Sequence, residues 1–187
     1  MTAQVPERVR FEGVEYQLTA VECNWPFSPG DHGFEPEMIH TACYRGFICL
    51  YAVDSEDKLV LDELHINQLD RPGEWLGVEP EEDGKEGCLV YRGVDYPIEY
   101  SGGIIISTDF IDSLYIHMGY QSPYAFETVK ELIFQEGELQ EAEDHSEFMA
   151  EIREAMKRGE IEEGSRGEIV SFVNRSFSLS YEDKWFI

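Results

Sequence analysis

Basic residues are scarce in this chain. Fourteen Lys and Arg stand against thirty-nine Asp and Glu, a formal charge of −25 over 187 residues. A surface this negative repels phosphate backbones, anionic lipids and nucleotides, and attracts cations and basic proteins. Binding of nucleic acid or of a membrane surface is therefore not expected. Long apolar runs are lacking as well. No stretch approaches the roughly 18 apolar residues of a membrane span, and Met1 to Glu15 lacks the apolar core of a secretory signal. The four cysteines, Cys23, Cys43, Cys49 and Cys88, are too few and too scattered for a disulfide framework. The expected compartment is the cytoplasm, where Asn174-Arg175-Ser176 is a chance match to the glycosylation pattern.

The well-defined catalytic motifs are missing too. There is no Gly-x-Ser-x-Gly elbow, no Cys-x-x-Cys pair and no His-Glu-x-x-His. Ser101-Gly102-Gly103 has no accompanying lysine and leads into a strand pattern, so it reads as a bulge or turn rather than a phosphate cradle. Glu79 to Gly84 imitates the start of a calcium loop, but its twelfth position is Val90 where a bidentate Glu is required.

What is present is an acidic but globular composition, 42% hydrophobic and 13% aromatic. Residues 127 to 163 hold thirteen acids against Lys130, Arg153, Lys157 and Arg158, a net −9, which leaves −16 for the remainder. The acids are thus interleaved with core-forming residues, including the cluster Glu79, Glu81, Glu82, Asp83 and Glu86. The length suits a single domain over 1–187.

An octapeptide recurs: Phe11-Glu12-Gly13-Val14-Glu15-Tyr16-Gln17-Leu18 and Tyr91-Arg92-Gly93-Val94-Asp95-Tyr96-Pro97-Ile98. Each copy predicts a β-hairpin, within 9–18 and 89–98, turning on Glu12-Gly13 or Arg92-Gly93. That geometry pairs Phe11 with Val14 and Val9 with Tyr16, and likewise Tyr91 with Val94 and Leu89 with Tyr96. Thr41 to Val53 is apolar on both faces and predicts a central strand, followed by a strand over Leu59 to Ile66. Ile104-Ile105-Ile106 predicts another, and Leu114, Ile116 and Met118 alternate as a further one.

Two consecutive helices are expected next. Ser122 and Pro123 open the first, Phe126, Val129 and Ile133 form its stripe, and Gly137 ends it. Asp144 and Glu147 make a capping-box-like start to the second, with a buried stripe of Phe148, Ile152, Ala155 and Met156, and Gly159 as its stop. Ile169 to Val173 and Phe177 to Tyr181 predict a closing strand pair. The expected fold class is α+β, with a mainly antiparallel sheet built from hairpins and two helices packed on it.

The segment from residue 32 to 45 carries the densest set of candidate ligands: His32, Glu35, His40, Cys43 and Arg45. Imidazole, thiolate and carboxylate suit zinc, but the spacing matches no metal motif, so no metal or cofactor is expected. Cys43 would need His40 as its base to act as a nucleophile. Arg45 lies where both strand faces are apolar, so it needs either an internal carboxylate partner or an anionic ligand. The function expected is a non-catalytic interaction protein that binds a basic protein partner, in the manner of an immunity-type inhibitor or a nucleic-acid mimic. The alternative is a small-molecule binder or metal-dependent hydrolase built on the 32–45 segment.

Overall fold

A computed structural model describes residues 2–83, 88–160 and 175–184. Nine strands form one mixed sheet: β1 Arg8–Phe11, β2 Val14–Val21, β3 Phe47–Val53, β4 Leu59–Ile66, β5 Glu81–Glu82, β6 Leu89–Pro97, β7 Gly102–Phe110, β8 Phe126–Gln135 and β9 Glu138–Asp144. Their spatial order is β5-β6-β4-β3-β1-β2-β7-β8-β9. Every neighbouring pair is antiparallel except β1 and β3, which run parallel with Val9 opposite Tyr51. The described residues include the helices α1 Ser146–Lys157 and α2 Tyr181–Lys184, and residues 175–177 are helical as well. The class is therefore α+β with a mostly antiparallel sheet, as expected.

Alternation along the strands divides the core between the two faces. Ile104 and Ile106 of β7, with Leu132 and Phe134 of β8, join the larger apolar cluster with Leu18, Tyr51, Leu61 and Tyr91. Ile105 and Val129 belong to a smaller cluster on the other face, which Phe126 joins from the very start of β8 and Met149 of α1 closes. The sheet also curls. Leu59 N–H donates to Gly137 O and Leu139 N–H to Asp57 O, each at 2.8 Å, so the β8–β9 turn meets the β3–β4 turn from far along the strand order.

The first hairpin forms as its sequence requires. Phe11 pairs with Val14 and Val9 with Tyr16, and Glu12 and Gly13 both take positive φ, as a type I′ turn demands. The second copy does not turn. β6 runs through Arg92-Gly93 while pairing with β4, whose register jumps from Leu61↔Tyr96 to Glu63↔Arg92. The extra β6 residues are a bulge, and Gly93 and Asp95 supply its positive φ values. A partner strand along its whole length holds this copy extended, so the octapeptides share sequence but not structure.

The expectation of two consecutive helices is corrected. Pro123–Ala125 is a single 3-10 turn, and Phe126–Gln135 is strand β8. The spacing of Phe126, Val129 and Ile133 imitates a helix because β8 is covered on both faces, which blurs the period of two. Glu136 and Gly137 are a second positive-φ Glu-Gly turn joining β8 to β9. A helix C-cap and a type I′ turn make the same demand on glycine, so Gly137 alone could not separate them.

The second helix exists as α1, and Ile152 and Met156 of its expected stripe pack against the smaller cluster, but Met149 takes the place expected of Phe148. Met149 is its buried residue, whereas Phe148 is 46% exposed. Residues 114–118 are not a strand; a 3-10 turn spans Asp112–Leu114 and irregular chain follows. Of the expected closing strand pair, 169–173 lies outside the described residues. Residues 175–177 are helical instead, and the chain then makes an isolated bridge from Ser180 to Val21 before entering α2.

Candidate functional site

Strands β2 and β3, consecutive in the chain but separated in the sheet by β1, are joined by a long loop over residues 22–46 that carries all five candidate residues. It does not bring them together. His32 ends a 3-10 turn over Pro29–His32 and stacks on Phe27 with ring centroids 4.7 Å apart. Trp75 and Tyr96 approach the same imidazole edge-on, at 5.7 and 5.1 Å. Glu35 is exposed, its backbone N–H donating to Gln68 Oε1. His40 Nδ1 accepts the Ala42 N–H at 3.1 Å. Cys43 is buried, its Sγ 3.4 Å from Phe47 O, and burial raises its thiol pKa, which disfavours a nucleophilic thiolate. Among the described residues, none of the five belongs to a group of three or more metal-ligating side chains.

Arg45 has found an internal partner. Its Nε donates to Glu7 Oε1 at 2.9 Å, and its Nη1 donates to Val5 O and Tyr120 Oη, each at 2.8 Å. Glu7 is wholly buried and also accepts the Cys49 backbone N–H through Oε2. Burial pushes its carboxyl pKa up, against the pull of the Arg45 charge and the Cys49 hydrogen bond. The guanidinium lies 5.7–5.9 Å from the ring centres of Trp25, Phe47 and Tyr120. Among the described residues its buried Nη2 meets no hydrogen-bond acceptor, and it rests among those rings. This is a closed charge pair rather than a pocket floor awaiting an anion.

A cleft of about 390 Å³ opens beside His32. Trp25, Phe27, His32 and Tyr96 provide aromatic walls, and Asp31 and Glu99 provide carboxylates. Asp31 and Glu99 are exposed, and Trp25 retains 37% exposure. Only His32 among these was a candidate from sequence. Tyr96 and Glu99 lie more than sixty residues downstream, and only the pairing of β6 brings them here.

Among the described residues, two clusters could hold a cation. One comprises Glu131, Glu143 and His145, the other His65, Asp83 and Cys88; in each, the ligand atoms lie within 4.8 Å of one another. In the first, His145 Nε2 contacts both carboxylates, at 3.1 and 3.4 Å, and Glu131 also accepts from Tyr181 Oη at 3.1 Å. In the second, the two ring nitrogens of His65 face different carboxylates. Nε2 is 3.2 Å from Glu63 and Nδ1 is 3.6 Å from Asp83. Neither cluster was legible from spacing, because the β8–β9 pairing sets Glu131 opposite Glu143, and the β4–β6 pairing brings His65 to Asp83 and Cys88, eighteen and twenty-three positions downstream.

Comparison of the chain with protein-family models, with curated proteins and with solved structures gave no match. Among the described residues, no helix is long and apolar enough to cross a membrane.

Proposed function

We propose that this is a non-catalytic interaction protein that binds a basic protein partner, taking an Arg or Lys of that partner into the cleft beside His32. The observation that carries this reading is the cleft's mixture of aromatic walls and exposed carboxylates on a chain of formal charge −25. A cation entering there gains contact with aromatic faces, worth about 0.5–2 kcal/mol, and charge-assisted hydrogen bonds to Asp31 or Glu99. The remaining acids supply long-range attraction that raises the association rate. They include the sheet-terminal strand β9, exposed at Glu138, Glu141, Glu143 and Asp144. An inhibitor that neutralises a basic enzyme, or a mimic of nucleic acid, has this profile.

Affinity capture from the source cell at low salt, followed by titration of the purified captured protein, tests the reading. The full chain should retain a basic protein, and Asp31→Asn/Glu99→Gln should bind it at least tenfold more weakly. Recovery of no basic partner, or equal binding by the double variant, would sink the proposal.

A further inference from the structure

We propose that His65, Asp83 and Cys88 form a binding site for a divalent transition metal of the zinc class. The proposal is independent of the cleft beside His32. Its three donors are an imidazole nitrogen, a carboxylate oxygen and a sulfur, held within 4.8 Å of one another. Tetrahedral zinc places neighbouring ligand atoms roughly 3.3–3.8 Å apart, given bonds of about 2.0–2.3 Å. A small side-chain adjustment therefore closes the set around an ion.

The backbone holds these donors in place. His65 is opposite Val90 in the β4–β6 pairing, and Glu81 is opposite Val90 from the other side of β6. Asp83 N–H donates to Cys88 O at 2.8 Å, tying the second and third ligands to each other. His65 and Cys88 are buried, at 8% and 3% exposure. Buried imidazole and thiol donors on a paired sheet make a pre-formed site rather than a chance meeting of surface acids.

The surroundings of His65 suit a ligand. Its Nε2 faces Glu63 Oε2 at 3.2 Å, and Glu63 is itself held by Arg92 Nη1 at 2.7 Å. A carboxylate that accepts the Nε2–H hydrogen bond leaves the Nδ1 lone pair on the side of Asp83, 3.6 Å away, which is how metal-bound histidines are commonly oriented. Arg8 Nη2 lies 3.4 Å from the same Nε2, while its Nη1 pairs with Glu15 at 3.1 Å. Metal binding selects the tautomer protonated at Nε2, which gives Glu63 the hydrogen bond and leaves Arg8 to Glu15.

Charge balances as well. Asp83 carboxylate and Cys88 thiolate carry two negative charges against a divalent ion, and the thiol proton leaves to solvent on binding. The thiolate selects zinc-class ions over magnesium or calcium. Asp83 and Cys88 also line a cleft of about 300 Å³ with Asn67, Gln68 and Glu82, so the fourth position opens to water.

Cobalt(II) titration of the chelator-treated full chain under reducing conditions tests this site. One equivalent should bind, with a near-ultraviolet thiolate-to-cobalt charge-transfer band that zinc abolishes by displacement. Cys88→Ser should remove the band, His65→Gln should weaken binding at least tenfold, and Cys23→Ser should change neither. Absence of the band in the wild type would overturn the proposal, as would a band that survives Cys88→Ser. If Cys88→Ser does not fold, the partly exposed Asp83 provides the second arm. Asp83→Asn should keep the band and lose at least tenfold in affinity, and unchanged affinity would overturn the site.

Discussion

Glu7 and Arg8 are adjacent in sequence, yet they serve two clusters of opposite character. Successive side chains at a strand point to opposite faces. Glu7 turns into the core, where it meets Arg45 and the Cys49 backbone. Arg8 turns to the other face, toward Glu15 and His65. The Glu7–Arg45 pair uses most of its donors and acceptors on protein and packs its remaining nitrogen among rings. At the His65 cluster, three donor atoms of different chemistry converge beside a cleft. The comparison shows how burial separates roles. A charge pair sealed among apolar groups is committed to the fold, whereas a polar group at the rim of a cleft remains available to a ligand.

The largest effect should come from breaking the sealed pair. Glu7→Gln leaves Arg45 charged and buried without its counter-ion, which should cost about 3–5 kcal/mol in chemical denaturation. Replacing both partners together, as Glu7→Leu with Arg45→Met, should recover much of that loss, because the desolvation of both charges disappears with them. A loss below about 1 kcal/mol for Glu7→Gln would mean that the pair is not sealed.

On the open side the expected change is in affinity. Glu63→Gln removes the carboxylate that orients His65, and should weaken zinc binding about 10- to 100-fold while leaving denaturation of the metal-free chain nearly unchanged. A large loss of metal-free stability with unchanged zinc affinity would reverse the roles assigned to the two faces.

A third carboxylate, on the surface, should matter less than either. Asp144 Oδ1 accepts the Ser146 N–H at 2.9 Å at the start of α1, and hydrogen bonds from Ser146 hold its pKa below the ordinary value. Asp144→Asn removes a negative charge beside the helix N-terminus and should cost about 0.3–1 kcal/mol at neutral pH. The sign follows from the lowered folded pKa: the stabilisation is present above the unfolded value and is lost as pH falls through the folded one. The difference in melting temperature between wild type and Asp144→Asn should therefore shrink in acid. A constant difference would assign the cost to something other than charge.

The smallest effect concerns the acids at large. Raising sodium chloride to about 0.5 M screens exposed charges and should raise the melting temperature at pH 7. A flat response would show that pairs such as Arg10–Asp62 at 2.7 Å and Arg92–Glu63 already offset the repulsion.

Much of the sheet was legible, and the misses have physical causes. Glu12-Gly13 announced its hairpin, because few residue pairs accept positive φ at two successive positions. The same signal at Glu136-Gly137 is equally compatible with a helix stop, since both place a glycine at positive φ. The doubly covered strand β8 lacks a clean period, so its apolar spacing could not settle that choice. Arg45 was legible as a buried charge needing a carboxylate. Glu7 was not legible as that carboxylate, since thirty-eight residues and the parallel β1–β3 pairing lie between them.

The sequence by itself determined what short-range physics controls: the first Glu-Gly turn, the apolar strands, a helix beginning within two residues of Asp144, and the excess negative charge. Only the tertiary structure decided which strands are neighbours, why one octapeptide turns while its copy bulges, and which distant side chains share a site. The reason is that turn and strand preferences act over a few residues. The meetings of Arg45 with Glu7, and of His65 with Asp83 and Cys88, depend instead on long-range pairings that the same residue types would permit in many other arrangements.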